Sequence, residues 1–198
     1  MGDAKTSIEN AFKEIVAEKP YQKITVSEIC DRAFLSRRAF YSHFKDKEEI
    51  VADLFDLHVI KPLRDIHALL HKDDIELMQE SIVVRMYENV YTEGEYYRNL
   101  IGPMRGHDDT FLRVVTWAIY DYNRGHIPLL SDRPDVQDWI VDYIAYFFAS
   151  SQAMLMQKWI SEGMVISPKE LAGLYIRITM PFWRNIGSWD GPLSNASH

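Results

Sequence analysis

The sequence predicts an all-α fold, and three observations carry that prediction. Apolar residues recur at three- and four-residue intervals through most of the 198 positions. No segment alternates with period two for long enough to make a strand. Capping signals mark helix starts at Thr25, Ser36, Asp46 and Ser167. A chain that is 47% hydrophobic and 26% charged falls in the range of folded proteins. The single cysteine excludes an intrachain disulfide, and with no basic leader before an apolar run, a cytoplasmic location is expected. The longest uncharged run, 143–157, has 15 residues, fewer than the roughly 20 a spanning helix needs, so no membrane partner is expected.

Each element follows from local chemistry. Ile8, Ala11, Phe12, Ile15 and Val16 share one helix face, and Lys19-Pro20 stops that helix. Thr25-Val26-Ser27-Glu28 is a capping box opening a helix with Val26, Ile29, Cys30 and Ala33 on one side; Cys30 reads as core. Ser36 caps a helix of barely two turns ending near His43-Phe44. Asp46 caps the next, which runs through Ile50, Leu54 and Leu57 until Pro62 kinks or breaks it near 58–62. Asp73 or Asp74 opens a helix to about Thr92, Gly94 punctuates, and a short helix covers Tyr96 to Ile101. Gly102-Pro103 and Gly106-His107-Asp108-Asp109 read as loop, Phe111 to Asn123 as a helix stopped by Gly125, and Pro128 and Pro134 as a turn. Val136 to Glu162 is the longest helical pattern, closed by Gly163. Ser167-Pro168-Lys169-Glu170 starts the last helix, which is expected to run until Pro181.

Charge is unevenly distributed. The net charge is −7, yet residues 1–50 hold nine Lys/Arg against nine Asp/Glu, and Ser36 to Lys47 holds four cations against Asp46 alone. Two short helices joined by Phe34-Leu35 after a longer one make a helix-turn-helix, whose second helix must enter the major groove. Phe40 and Phe44, four apart, bury together and leave Arg37, Arg38, Ala39, Ser42 and His43 outward. The arginines suit guanine edges or phosphate, and Ala39 and Ser42 permit close approach to bases. Thr25, Tyr41 and Lys47, at or near helix starts, suit the sugar-phosphate backbone, and Ser36 and His43 are the remaining expected DNA contacts.

Residues 8–55 resemble the DNA-binding domain of the tetracycline-repressor (TetR) family. The parts that carry the likeness are Thr25-Val26-Ser27-Glu28-Ile29, Leu35-Ser36, Phe40-Tyr41-Ser42-His43-Phe44 and Asp46-Lys47-Glu48-Glu49-Ile50. Farther on, Lys158-Trp159-Ile160-Ser161-Glu162-Gly163 followed by Ser167-Pro168 is similar to the C-terminal region of many members. The resemblance implies an N-terminal DNA-binding domain over 1–50 and a helical effector and dimerisation domain over 51–198. It also implies double-stranded DNA as partner, a homodimer built on the last two helices, and a transcriptional regulator, most often a repressor, on a palindromic operator. A TetR-fold coregulator working through a protein partner is the alternative. The family usually has glycine where this chain has Phe34, a turn position that wants a left-handed backbone. A bulky residue there costs on the order of 1–2 kcal/mol unless the turn relaxes, and a ring anchored on the first helix would offset part of that.

For an apolar or aromatic effector, Met86, Trp117, Tyr120 and Phe147 are the expected pocket residues. For the dimer, the many-sided apolarity of 136–162 points to Phe148, Leu155 and Trp159, joined by Leu171, Leu174, Tyr175 and Ile178. His67 and His71 stand at a metal-pair spacing, but Ala68 fills the place where a zinc hydrolase motif needs glutamate. No glycine-rich phosphate loop or nucleophile elbow is present, so no enzyme, catalytic residue, metal or cofactor is expected.

Overall fold

The first helix, α1 (Ala4–Glu18), buries the stripe Ile8, Ala11, Phe12, Ile15 and Val16 and ends two residues before Pro20. The computed structural model describes residues 3–101, 109–130 and 138–185. A single 3₁₀ turn over Tyr21–Lys23 leads into α2 (Val26–Ala33), α3 (Arg37–Tyr41) and α4 (Lys47–Phe55), each capped as the sequence predicts. The chain continues through α5 (Lys61–His67), α6 (Lys72–Thr92), α7 (Gly94–Ile101), α8 (Thr110–Leu130), α9 (Asp138–Ser161) and α10 (Pro168–Asn185), with no strand among the described residues. α8 packs along α9, and α10 along α6. One hydrophobic core runs from Ile8 to Ala172, and α4 crosses the sequence boundary drawn at residue 50.

Three expected stops are not stops. Pro62 does not break its helix; a π turn over Asp56–Ile60 joins α4 to α5, with right-handed helical backbone at both joints. The Lys61 N–H bonds Asp56 O, five residues back. Proline brings no N–H and crowds the preceding turn, and widening that turn by one residue keeps the chain helical where a strict α ladder would clash. Likewise α8 passes Gly125 and carries Pro128 in its last turn. Glycine costs about 1 kcal/mol in a helix. Ile127, buried with Val141 and Ala145, and Arg124, bonded to Asp138 at 2.8 Å, hold the C-terminal part of α8 on α9. α10 also continues past Pro181. The predicted loops at 102–103 and 106–108 and the turn at Pro134 lie outside the described residues.

Gly163 closes α9 as expected, at φ 83°, with the Met164 N–H returning to Trp159 O at 2.9 Å. The Met164 side chain then reaches α7, where a Cβ on Gly94 would lie 2.8 Å from its terminal methyl. A side chain at 94 would push the flexible end of Met164 aside.

α1 meets α4 through a charged trio. Lys5 Nζ lies 2.8 Å from Asp53 Oδ1 and 3.8 Å from Glu9. Glu9 is buried, and burial first, then the Asp53 carboxylate, raise its pKa from the ordinary 4.5 to about 7. A carboxyl with a raised folded pKa contributes stability that is complete below about 4.5 and is lost as pH rises through about 7. Glu9→Gln removes that loss. The variant is expected to match the parent in urea midpoint at pH 4 and to exceed it at pH 8; equal midpoints at pH 8 would show that Glu9 ionises without penalty.

Candidate nucleic-acid interface

The interface is built on the back of α3. Phe40 and Phe44 are buried, with ring centroids 6.1 Å apart, and Tyr41 stands edge-on to Phe40 at 5.3 Å. With that side clamped, Ser36, Arg37, Arg38, Ser42 and His43 are exposed, Tyr41 is more than half exposed and Ala39 partly so. Ser36 Oγ accepts the Ala39 N–H at 3.1 Å, and the Ser42 hydroxyl donates to Ala39 O at 2.7 Å. Arg32, on α2, is held by Glu14 and Glu18 of α1. The Arg37 and Arg38 side chains, in contrast, make no hydrogen bond or ion pair among the described residues. Two permanent cations are thus presented without a protein counter-ion.

Thr25 forms the predicted box: its Oγ1 accepts the Glu28 N–H at 3.3 Å, and its own N–H donates to Glu28 Oε2 at 2.9 Å. Lys19, then Thr25, hold the Glu28 carboxyl down at about 2. Lys47 turns inward. Its ammonium donates to Tyr21 O at 2.8 Å and Ile24 O at 3.0 Å and lies over the Tyr21 ring, so it braces α4 against the 3₁₀ turn.

Phe34 neither relaxes the turn nor anchors on α1. It sits at φ 55°, ψ 38° and is 94% exposed. The turn is fixed by two backbone bonds, Leu35 N–H to Cys30 O at 2.9 Å and Phe34 N–H to Asp31 O at 3.3 Å, an arrangement that requires the left-handed residue between them. Those bonds and the partly buried Leu35 outweigh the strain. Phe34→Gly is expected to raise stability by about 1 kcal/mol by relieving it. The urea midpoint should increase at unchanged slope, and a lower midpoint would mean that the phenyl contributes a contact.

Of the expected pocket residues, only Met86 lines the interior cavity. α8 turns Ile119, Tyr122, Asn123 and His126 inward, which directs Trp117 and Tyr120 elsewhere; the Tyr120 hydroxyl bonds Asp142, Trp117 is half exposed, and Phe147 is exposed on α9. Sequence reasoning missed His67, Tyr122 and His126. His67 does not share a helix with His71, because α5 ends at His67 and His71 precedes α6. Its ring instead stacks on Tyr122 at 5.4 Å and meets His126 at 4.4 Å. The spacing of Tyr122 and His126 was the available signal. Among the expected dimer residues, Phe148, Trp159, Leu171 and Tyr175 are buried within the protomer, Leu155 is partly buried, and Leu174 and Ile178 are exposed.

The comparisons with known proteins agree with this geometry. Residues 10–54 match the bacterial regulatory proteins of the tetR family, and residues 79–180 match a transcriptional regulator C-terminal region. The chain is 32% identical over 54 residues to the Transposon Tn10 TetC protein of Escherichia coli, covering 27% of each. It is 35% identical over 49 residues to the HTH-type dhaKLM operon transcriptional activator DhaS of Lactococcus lactis, covering 25% of this chain and 26% of that one. Each match therefore spans about a quarter of the relative. Two solved structures share the fold over nearly the whole length. A putative TetR-family transcriptional regulator from Syntrophomonas wolfei superposes with TM-score 0.61 at 14% identity over 96% of this chain and 97% of that one. A TetR transcriptional regulator from Streptococcus agalactiae gives 0.56 at 21% over 88% and 92%. With both segments matched and an exposed cationic helix clamped by two phenyl rings, this chain belongs to the tetR family of bacterial transcriptional regulators.

Proposed function

We propose that the chain is a cytoplasmic homodimeric repressor that binds a palindromic operator through residues 1–50 and answers to a small molecule held within residues 51–198. The observation that carries this reading is the pair Arg37 and Arg38, exposed and without a protein counter-ion on a helix pinned from behind. Arg37 and Arg38 read base edges, Ala39 and Ser42 allow the approach, and Thr25, Ser36, Tyr41 and His43 face the sugar-phosphate backbone.

Dimerisation is supported by an apolar stripe that is exposed among the described residues. Tyr143, Phe147 and Met154 are exposed on α9, and Leu174 and Ile178, four apart, are exposed on α10. Regulation is supported by continuity. Ile60, Leu63 and His67 line the cavity and belong to the helical run that begins at Lys47. The first turn of that run is tied to α8 by Arg113, which donates from Nη2 to Glu48 at 2.6 Å. A ligand that moves the cavity wall moves the rod beside α3, and two half-sites about 34–36 Å apart then fall out of register.

Selection of bound fragments from random duplex DNA at physiological salt is the test. Inverted half-sites and an affinity that falls steeply with added salt are expected. A lone asymmetric site, or no enrichment, would defeat the reading. The relative from Lactococcus lactis is named an activator, so the sign of regulation needs its own measurement, transcription from the recovered operator with and without the protein. A second reading, a coregulator acting through a protein partner, is favoured by the strained, exposed Phe34 and forecasts no salt-dependent duplex binding.

A further inference from the structure

The chemistry of the interior cavity restricts what can enter it. Its volume is about 70 Å³, well below the ~300 Å³ at which drug-sized pockets begin. Leu63, Ile82 and Ile119 supply apolar wall. None of the described lining residues is Lys, Arg, Asp or Glu. Burial first, then His126, lower the His67 pKa from 6.5 to about 4, so its imidazole is neutral at physiological pH. An ion entering here would lose its hydration and meet no opposite charge.

The polar groups that line it are imidazoles, phenols and side-chain amides, Gln79, Asn123 and Tyr175 among them. His126 Nδ1 lies 2.6 Å from Tyr122 O, and because a carbonyl can only accept, that nitrogen donates the hydrogen bond. The Tyr122 hydroxyl shares a hydrogen bond with His67 Nδ1 at 2.7 Å. Gln152 differs from both. It is only 6% exposed, it lines the cavity, and its Nε2–H donates to Met86 Sδ at 3.4 Å. A thioether is a weak acceptor, so this buried donor is held by a partner that almost any oxygen would replace. Met86 is also the part of the wall most able to yield, having an unbranched and flexible side chain.

We propose that the cavity takes a small uncharged molecule whose carbonyl or hydroxyl oxygen displaces Met86 Sδ as acceptor of the Gln152 amide, its hydrocarbon part lying against Leu63, Ile82 and Ile119. This rests on the reading of residues 51–198 as an effector domain, and names the chemical class that domain receives.

Four probes of nearly equal shape test it: 2-butanone, propionate, sec-butylammonium and 2-methylbutane, titrated at pH 7.5 into protein carrying ¹³C-labelled methionine methyls, with the Met86 resonance as readout. 2-Butanone is expected to shift that resonance, while propionate and sec-butylammonium need at least about tenfold higher concentration. Gln152→Leu should weaken 2-butanone about tenfold and leave 2-methylbutane unchanged. Met86→Leu, followed through the Gln152 side-chain amide signal, should tighten 2-butanone, which guards against a Gln152 variant that merely misfolds. Equal binding of either ion, indifference of 2-butanone to Gln152→Leu, or no binding by any probe overturns the proposal. Operator affinity recorded in the same titrations separates the two readings. If 2-butanone binds as described and leaves operator affinity unchanged, the effector role falls and the cavity chemistry stands; if an ion fills the cavity and shifts operator affinity, the reverse holds.

Discussion

Replacing Arg37 and Arg38 together by alanine is expected to lower operator affinity by about two to four orders of magnitude, since each lost guanidinium contact is worth about 1–3 kcal/mol. Thermal stability should change little, because neither side chain bonds to the protein among the described residues. The single variants divide the effect. A residue that reads a guanine edge relaxes preference at one half-site position, whereas a residue on phosphate weakens all sequences alike and lowers the salt slope by about one. Equilibrium binding to the selected operator and to single-base variants, at three salt concentrations, distinguishes these cases. Unchanged affinity in the double variant would remove α3 from the interface, and with it the reading of the first fifty residues.

Phe40→Ala is expected to cost about 3–5 kcal/mol, the range for truncating a fully buried aromatic. Phe40 is 0% exposed and touches both Phe44 and Tyr41, so its removal leaves a void directly behind the exposed side of α3. Against a typical total of about 5–15 kcal/mol, that is a large share of the stability. Because the same core continues from Ile8 to Ala172, urea unfolding should remain one cooperative transition with its midpoint shifted down. At temperatures where the variant is still folded, operator affinity should also fall, because a loosened α3 no longer holds Arg37 and Arg38 in one orientation. A midpoint loss equivalent to less than about 1 kcal/mol would show that Phe44 and Tyr41 hold α3 without Phe40.

The helix-turn-helix was legible because its determinants are local. Thr25 with Glu28, Ser36 with Ala39, and Asp46 with Glu49 each close a cap within three residues, and the four-residue spacing of Phe40 and Phe44 decides which side of α3 is buried. Lys47 was less legible. Its place at the start of α4 suits an anion, but the carbonyls that capture its ammonium lie more than twenty residues earlier in the chain. The cavity was harder still. Met86 was identified, while Trp117 and Tyr120 fall on other sides of α8 from Ile119 and His126, and a helix that is apolar on several sides does not disclose which side its neighbours will take.

The amino-acid sequence by itself determined the all-α class, the caps of α2, α3 and α4, the orientation of α3 and the tetR-family likeness, because those depend on groups within one or two helical turns. The tertiary structure decided the rest: the π turn before Pro62, the passage of α8 through Gly125, the pairing of His67 with Tyr122 rather than His71, and the division of α9 between the inward Phe148 and Trp159 and the outward Tyr143 and Phe147. At Gly125 a local preference worth about 1 kcal/mol, and at Pro62 one of about 3 kcal/mol, is overruled by packing against residues far away in the chain, where burying each large side chain contributes about 1.5–3 kcal/mol.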